Sequence, residues 1–454
     1  MQRTALKYLL EWQSNPRRKP LVIRGARQVG KSYLVNMLAE QAFTDITIVD
    51  FEFDATLAEL FTSKDPTTII QQLELKLARS IVPGKTLLFL DEIQASPEAF
   101  ASLRYFYEKM PELHVIAAGS LLEFALKDHT FSMPVGRIEY LYLSPMSFEE
   151  YLATTNHQLL NFLQNFQIGD DLPNIVHNEC LKLMREYFVL GGMPETLKAW
   201  LDTRSFLECE KVQQSILTTY RDDFSKYGKN VNIKRIQTVY NQLPFIIGKK
   251  MVYSQIDRHE KSRDLKASVE LLKLAKVIYN VHHTSANGIP LRAEASEKAY
   301  KPLLLDIGLL CQACGLNLLD FNRYDDILLV NSGALCEQFV GQQLLANMPL
   351  FKEPELFYWM RENSQSAAEV DFVIAQRNQV IPVEVKAGKT GSLKSMHRFL
   401  YEKERKISVR FNSDIPSIFE GSTKLAGGGS INYKLISLPL YMSGQLQRLL
   451  VGYL

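Results

Sequence analysis

A glycine-rich segment near the N-terminus constrains the fold more than any other feature. The run PLVIRGARQVGKS ends at Ser32, so an apolar stretch leads into the spacing GxxxxGK[ST] and a helical pattern follows. In such a loop Gly25 and Gly30 let the backbone turn its N–H groups toward a phosphate, while Lys31 reaches the terminal phosphates and the Ser32 hydroxyl ligates magnesium. A chance match would lack the flanking strand and helix. The residues predicted to contact the nucleotide are Gly25, Ala26, Arg27, Gln28, Val29, Gly30, Lys31, Ser32 and Tyr33.

A second apolar run ends in two carboxylates. Thr86 to Glu92 reads TLLFLDE, which is typical of a strand buried on both faces of a parallel sheet. We predict that Asp91 binds the magnesium ion and that Glu92 acts as general base on the attacking water. Alone, such a run is more often a strand end with solvated acids. The phosphate loop upstream favours the catalytic interpretation.

Two further runs complete a predicted sheet. Residues 114–120 read HVIAAGS and residues 45–51 read DITIVDF, each a short apolar strand with a polar end. The pattern predicts an α/β domain, a parallel sheet with helices on both faces and the nucleotide at the carboxyl ends of the strands. Ser120 is a candidate γ-phosphate sensor at that edge, and the alternative is an ordinary strand-terminal serine.

Several motifs carry a family resemblance that extends over essentially the whole chain. They are IRGARQVGKS, LLFLDEIQ, AAGSLLEF, VGRIEYLYLSPMSFEEYL and YFVLGGMPE. With them the chain resembles prokaryotic AAA-type ATPases in which a P-loop domain precedes a carboxy-terminal domain of unknown function. The resemblance implies that Arg137 contacts the γ-phosphate, either in cis or from a neighbouring subunit of a homo-oligomer. A guanidinium there would neutralise charge that develops during phosphoryl transfer.

A helical segment follows the predicted sheet. Apolar residues recur at helical spacing from Tyr151 to about Tyr220, with a break at residues 191–194, where two glycines precede Met193 and Pro194. In a P-loop ATPase this region would form a small helical lid. Helices that merely pack on the sheet explain the pattern equally well.

The largest charge asymmetry lies between Lys226 and Lys276. This stretch has twelve basic and four acidic residues, and since the whole chain has a net charge of +2, the remainder carries −6. Helices near 233–243, 254–258 and 262–276, the last capped by Ser262, precede a strand at 277–282 and a turn, which predicts a winged helix. Such a module with surplus Lys and Arg favours DNA binding. Protein interaction is the alternative.

A predicted hairpin near the C-terminus carries acidic residues. Its arms contain EVDFVIA and VIPVEVKAG, in which Glu384 and Lys386 project from the same face of a strand. With Asp371 on the other arm, the arrangement resembles PD-(D/E)xK nucleases, followed by a basic helical stretch at 389–410. Asp371 and Glu384 would then be metal ligands, Glu337 on a helix at 333–345 an accessory ligand, and Lys386 the water-orienting group. A retained, non-cleaving binding scaffold is the alternative.

These features predict a multidomain α/β ATPase. We expect a P-loop AAA-like domain (1–150), a helical lid (151–220), a winged helix (221–325) and a PD-(D/E)xK nuclease-like α/β domain (326–454), with ATP and Mg²⁺ as cofactors. ATP hydrolysis would regulate DNA engagement and possibly DNA cleavage; the alternative is a nucleotide-dependent signalling protein. Five scattered cysteines, with Cys311 and Cys314 forming a lone CxxC, favour buried thiols over disulfides or zinc. The absence of a long apolar run predicts a cytoplasmic protein without a membrane partner.

Overall fold

The chain forms two β-sheets surrounded by helices. A computed structural model describes residues 1–127, 133–227, 232–316, 332–361, 368–389, 391–425 and 428–454. One sheet has five strands, and the other has eight. Within the described residues, no helix is long and apolar enough to cross a membrane.

The five-stranded sheet is entirely parallel, as predicted. Its strands are β1 (Leu21–Arg24), β2 (Asp45–Asp50), β3 (Thr86–Asp91), β4 (His114–Ala118) and β5 (Glu139–Tyr142). They lie in the order β2-β3-β4-β1-β5. Its helices are α1 (Ala5–Ser14), α2 (Lys31–Ala42), α3 (Pro66–Leu77), α4 (Pro97–Lys109) and α5 (Leu122–Lys127). The strand β5 is short and only partly buried, so its pattern gave no sequence signal. Because the strands are parallel, Arg24, Asp91 and Ala118 end at the same edge.

The predicted helical segment is present. It consists of α6 (Phe148–Thr155), α7 (His157–Asn165), α8 (Asn174–Leu190), α9 (Pro194–Thr203) and α10 (Phe206–Asp222). The break lies where it was predicted, between α8 and α9. Gly191 adopts a φ of 70°, and a side chain there would collide with the carboxylate of Asp306, so the turn requires glycine.

The basic segment folds in the predicted order but does not form a separate winged domain. It contains α11 (Ile233–Gln242), α12 (Tyr253–Ile256), α13 (Ser262–Leu274), β6 (Ile278–Thr284) and β7 (Ala295–Leu304). The β6–β7 hairpin forms the edge of the eight-stranded sheet, because β6 also pairs in parallel with the first strand of the carboxy-terminal segment. The predicted boundary at 325 therefore separates strands of one sheet, although residue 325 itself lies outside the described residues. The prediction that Ser262 caps α13 is wrong, because Lys261 occupies the N-cap position without a capping side-chain bond.

The carboxy-terminal segment contains the remaining strands. Its elements are α14 (Ile307–Ala313), α15 (Ser332–Ala346), β8 (Leu356–Met360), β9 (Glu369–Gln376), β10 (Gln379–Val385), α16 (Lys394–Glu402), β11 (Ile407–Asn412), β12 (Ser417–Lys424), β13 (Ser430–Pro439) and α17 (Leu446–Leu450). The strands of the large sheet lie in the order β12-β13-β11-β10-β9-β8-β6-β7. The predicted hairpin is present as β9 and β10. The predicted helical stretch at 389–410 is wrong in part, because its last residues form the strand β11. This strand has alternating apolar side chains and lies between β10 and β13, with which it pairs in parallel.

The predicted segments share one hydrophobic core. The rings of Phe148, Tyr187 and Phe339, from the first, second and last predicted domains, lie 5.6 to 6.0 Å apart. Each ring is almost fully buried. The same core takes in the buried thiol of Cys311 on α14, and among the described residues all five cysteines are free thiols. Motion of one segment must therefore repack its neighbours.

Candidate functional site

The glycine-rich loop joins β1 to α2 at the carboxyl edge of the parallel sheet. Gly25 packs so closely that a Cβ there would lie 2.4 Å from the carbonyl oxygen of Leu143, and Gly30 starts α2 with a φ of 90°. The backbone from Gly25 to Ser32 thus forms the turn that the spacing predicts. Tyr33 follows on the first turn of α2, half exposed, and its hydroxyl accepts a hydrogen bond from the N-terminal amino group at 3.2 Å.

Lys31 points back into this loop. Its Nζ donates to the carbonyl oxygens of Ala26 at 2.9 Å and Gly25 at 3.1 Å. Burial lowers the pKa of Lys31 to about 8, although the nearby charges of Glu92 and Asp91 oppose the shift. A bound phosphate would stabilise this ammonium more strongly than two carbonyl dipoles do.

Ser32 and Asp91 provide oxygen atoms for a magnesium ion. The Ser32 hydroxyl donates to Asp91 Oδ2 at 2.8 Å, so the loop and the end of β3 are in direct contact. Burial raises the pKa of Asp91, an effect that hydrogen bonds from Ser32 and the Glu92 backbone partly offset. A hydroxyl and a carboxylate beside a phosphate loop fit the ligands that Mg²⁺ prefers. These two residues could therefore hold the ion together with a nucleotide.

Glu92 is fixed by three hydrogen bonds. Its backbone has a φ of 48°, and its Oε2 accepts from Gln94 Nε2 at 2.6 Å, the Ser120 backbone N–H at 3.1 Å and the Ser120 hydroxyl at 3.2 Å. Burial alone would raise the pKa of Glu92, but these bonds and the charge of Lys31 lower it. The carboxylate is thus ionised and oriented at neutral pH. Sequence reasoning missed Gln94, which follows the predicted base by two residues.

Arg137 lies far from the loop of its own chain. It lies two residues before β5, and its Nε donates to Glu108 Oε1 at 3.0 Å near the end of α4. The amino end of β5 and the end of α4 both lie at the edge of the sheet opposite the phosphate loop. In this structure Arg137 is therefore separated from the phosphate loop of its own chain by the length of the strands.

The helical segment contacts the phosphate loop at its centre. Arg27 Nη1 donates to both carboxylate oxygens of Asp223 at 2.8 Å, and the Tyr220 hydroxyl donates to the Arg27 carbonyl oxygen at 2.7 Å. Pro194, at the start of α9, lies beside Gly30. Asp223 is almost fully buried. Sequence reasoning missed Tyr220 and Asp223, since no spacing links them to a loop almost 200 residues earlier.

The predicted nuclease-like residues also come together. Glu337 lies on α15, Asp371 on β9, Glu384 on β10, and Lys386 immediately follows β10. Asp371 Oδ2 accepts from the Val385 backbone N–H at 2.7 Å, and Lys386 Nζ donates to Glu384 Oε1 at 2.6 Å. The hairpin and helix thus bring the predicted group to one region of the large sheet.

A lysine absent from the sequence prediction lies among these carboxylates. Lys301 on β7 is fully buried, contacts Glu337, and has its Nζ 3.0 Å from Glu369 Oε1 and 3.9 Å from Asp371 Oδ1. Burial alone would lower the pKa of Lys301, but the charges of Glu337, Asp371 and Glu369 raise it. Lys301 is therefore an ammonium group inside the acidic cluster.

The cluster as arranged does not fit a divalent ion. Each of the three predicted ligands already pairs with a lysine, Glu337 and Asp371 with Lys301 and Glu384 with Lys386. Among the described residues, no group of three or more His, Cys, Asp or Glu side chains has the arrangement of a metal site. Two carboxylate oxygens of the described cluster, Glu337 Oε1 and Glu384 Oε2, are buried without a hydrogen-bond partner, and the first of them contacts the Lys301 ammonium.

Two exposed lysines lie at the rim of this cluster. Lys249 and Lys250 follow Gly248, where a Cβ would lie 3.1 Å from Glu337 Oε2. The adjacent Met251 N–H donates to the Tyr300 carbonyl oxygen at 2.8 Å. Elsewhere in the basic segment Arg235 pairs with Glu260, and Lys229 lies outside the described residues. The exposed basic residues of this segment are Lys226, Lys234, Lys249, Lys250, Arg258, Lys261, Arg263 and Lys266.

Comparison with protein families divides the chain into three parts. Residues 17–152 match the AAA domain family, residues 181–320 match a domain of unknown function (DUF8612), and residues 332–423 match another (DUF4143). The first match and the parallel sheet identify an AAA-type P-loop ATPase domain. No curated protein matches the chain.

Several solved structures are similar to this chain at low identity. The Walker-type ATPase of Pyrococcus abyssi is 17% identical with a TM-score of 0.44, covering 69% of this chain and 95% of that one. The ORC2 protein of Aeropyrum pernix is 9% identical with a TM-score of 0.31, covering 70% of this chain and 92% of that one. A Signal Transduction ATPase with Numerous Domains from Pyrococcus horikoshii is 13% identical with a TM-score of 0.24, covering 75% and 45%.

Proposed function

We propose that this protein binds ATP with Mg²⁺ and hydrolyses it. The observation that carries the proposal is the joint position of Lys31, Ser32, Asp91 and Glu92 around one phosphate loop. Lys31 would exchange its two carbonyl contacts for phosphate oxygens, and Ser32 and Asp91 would hold the metal ion. When bound, the ion would neutralise phosphate charge. Glu92, ionised and oriented by Ser120 and Gln94, would accept the proton of the attacking water.

The test compares ATP binding with hydrolysis in three proteins. Glu92→Gln keeps the shape of the side chain but removes its basicity. We therefore expect this protein to bind ATP and to hydrolyse it at least about 100-fold more slowly than the wild type. Lys31→Ala should lose ATP binding, because it removes the ammonium from the loop. A Glu92→Gln protein that hydrolyses ATP at the wild-type rate would refute the assignment of the base.

Contacts beyond the loop support a regulatory role for the nucleotide. Pro194 and the Arg27–Asp223 ion pair both lie against the loop, so a phosphate bound near Gly30 would change their contacts with it. Next to Pro194, the Gly192 N–H donates to Asp306 Oδ2 at 2.6 Å, and Gln342 Nε2 on α15 donates to the same oxygen at 3.1 Å. The helix α15 also carries Glu337. These contacts from Pro194 through Asp306 to α15 support coupling between nucleotide state and the carboxy-terminal sheet. To act as a switch, the contacts must have two alternative arrangements, one for each nucleotide state.

The basic segment supports DNA as the regulated partner. Lys249 and Lys250 are exposed, and within the described residues neither makes an ion pair shorter than 4.0 Å. Lysines of this kind bind phosphates without reading sequence. Their position beside Glu337 would bring DNA close to the nuclease-like cluster. Nucleotide-dependent DNA engagement is therefore the finer part of the proposal.

Charge reversal tests the DNA proposal. Lys249→Glu with Lys250→Glu should weaken binding of duplex DNA and lower the slope of log affinity against log salt by about 2, one for each phosphate that is no longer neutralised. Lys76→Glu with Lys85→Glu makes the same charge change at exposed positions of the ATPase domain and is the matched control. Equal binding by all three proteins would favour the competing function, a signalling protein whose carboxy-terminal segment binds protein.

A homo-oligomer would give Arg137 a catalytic role. The side chain is partly exposed beside Glu108, away from its own phosphate loop. We propose that it contacts the nucleotide of a neighbouring subunit, where a guanidinium could contribute a factor of roughly 10³–10⁵ to the rate.

A further inference from the structure

The buried ammonium of Lys301 has no counterpart in the predicted metal chemistry of the carboxy-terminal site. Its side chain lies on β7, outside the hairpin and helix that supply the predicted ligands. Strand β7 is held in place by pairing with β6 over Ile278–Leu304 to His282–Tyr300, and β6 pairs with β8. The register of the sheet therefore fixes Lys301 opposite the carboxylates, and its aliphatic stem has no route to solvent.

We propose that Lys301 replaces a divalent cation in this cluster, so that the domain binds no metal ion there and does not cleave DNA. The ammonium contacts Glu337 and Glu369 and lies close to Asp371, which leaves neither of the predicted ligands Glu337 and Asp371 free. The Tyr358 ring, 5.2 Å from Lys301 Nζ, covers the ammonium from another side.

A divalent ion would have to displace Lys301 or bind elsewhere in the cluster. Displacement would leave the ammonium without partners, which is costly because the Lys301 side chain is fully buried. Without displacement the fixed positive charge would repel the ion at short range. Among the buried carboxylate oxygens of the described cluster, Glu337 Oε1 and Glu384 Oε2 lack a hydrogen-bond partner, and Glu337 Oε1 is the oxygen that contacts Lys301. Glu384 Oε2 alone would hold Mg²⁺ weakly. Lys301 thus neutralises the cluster from within.

This inference concerns metal binding and does not depend on the proposed ATPase activity. Its consequence for DNA does rest on the proposed DNA engagement, which would then be binding without cleavage. The basic rim at Lys249 and Lys250 would serve that binding. Loss of DNA binding in the charge-reversed protein and metal binding at the cluster are separate measurements, so failure of one proposal can be told from failure of the other.

The experiment counts Mn²⁺ ions bound per chain by electron paramagnetic resonance of the free ion. The full chain carries Asp91→Asn to remove the P-loop metal ligand, and no nucleotide is added. We expect no bound Mn²⁺ up to millimolar concentration. A second protein with Lys301→Met, which keeps the aliphatic stem but removes the charge, should gain one Mn²⁺ per chain, and adding Glu384→Gln should abolish this gain. Lys301→Arg is the control that keeps the charge and should bind none.

Two results would overturn the inference. The first is one Mn²⁺ bound per chain with Lys301 present and lost with Glu384→Gln. The second is a folded Lys301→Met protein, judged by wild-type heat stability, that binds none. If the Lys301→Met protein does not fold, the Mn²⁺ titration of the chain that keeps Lys301 still tests whether the cluster binds a metal ion. Incubation of linear DNA with Mn²⁺ and the wild-type protein should leave the DNA intact.

Discussion

Asp306 is the buried carboxylate that joins three segments of the chain, and its replacement is the sharpest test of that connection. It is fully buried, and burial raises its pKa although hydrogen bonds from Gly192, Leu309 and Gln342 oppose the shift. Oδ1 accepts from the Leu309 N–H at 3.1 Å, and Oδ2 accepts from the Gly192 N–H at 2.6 Å and Gln342 Nε2 at 3.1 Å. Asp306→Asn keeps the size but turns one acceptor into a donor.

The magnitude follows from the bonds that the amide cannot make. If the amide oxygen keeps Leu309, its nitrogen faces the Gly192 N–H and Gln342 Nε2, and two hydrogen bonds to a charged acceptor are lost at about 1.5–3 kcal/mol each. The Gln342 amide cannot flip to present its oxygen to the new amide nitrogen, because its Oε1 accepts a hydrogen bond from the Ile307 N–H at 2.8 Å. Removing the charge also removes its burial cost, so we expect a net local destabilisation of about 3 kcal/mol.

Hydrogen exchange followed by mass spectrometry measures this change locally. A loss of about 3 kcal/mol corresponds to exchange about 100-fold faster in peptides covering 187–195 and 305–312, provided that the amides exchange through local opening. Asp202→Asn removes a carboxylate from an exposed position on α9 and should change exchange there by less than about threefold. Equal exchange of Asp306→Asn and wild type in both peptides would refute the role assigned to this carboxylate.

Two further predictions concern Arg137 and His114. Arg137→Ala mixed with Lys31→Ala should recover ATP hydrolysis that neither protein has alone, because only a subunit pair can combine an intact loop with an intact arginine; mixtures as inactive as their components would rule out action in trans. His114 contacts Gln13 and Arg18, and burial lowers its pKa to about 4 from 6.5, with the charge of Arg18 adding to the shift. The unfolded chain therefore binds the extra proton first, and the free energy of unfolding should fall as the pH drops from about 6.5 to 4. His114→Asn should flatten this dependence in urea unfolding measured across that range, and an unchanged slope would contradict the assignment.

The phosphate site could be predicted because its determinants are local. Gly25, Lys31 and Ser32 lie within one short segment, and an apolar strand that ends in Asp91 meets them at the edge of a parallel sheet by topology alone. The hairpin that carries Asp371 and Glu384 was likewise encoded by alternating apolar residues and a short turn.

The remaining features depend on pairings between distant segments. Lys301 reaches Asp371 only because β7, β6, β8 and β9 are neighbours in one sheet. The sequence of β7 alone does not predict that order. Asp223 reaches Arg27 through the packing of α10 on the loop. The predicted wing is the β6–β7 hairpin, which belongs to the large sheet and is not a separate unit. Its sequence could not show this, because a hairpin sequence does not specify which sheet it extends.

The most direct test of the proposed coupling is the DNA affinity of one protein in two nucleotide states. Glu92→Gln should hold ATP without hydrolysing it, so duplex DNA can be titrated by fluorescence anisotropy with saturating ATP and then with saturating ADP at fixed salt. We predict dissociation constants that differ at least about fivefold, the lower range of measured allosteric couplings, together with a changed protease cleavage pattern between residues 187 and 227. Identical affinities and identical cleavage in both states would contradict the proposed coupling between nucleotide state and DNA binding.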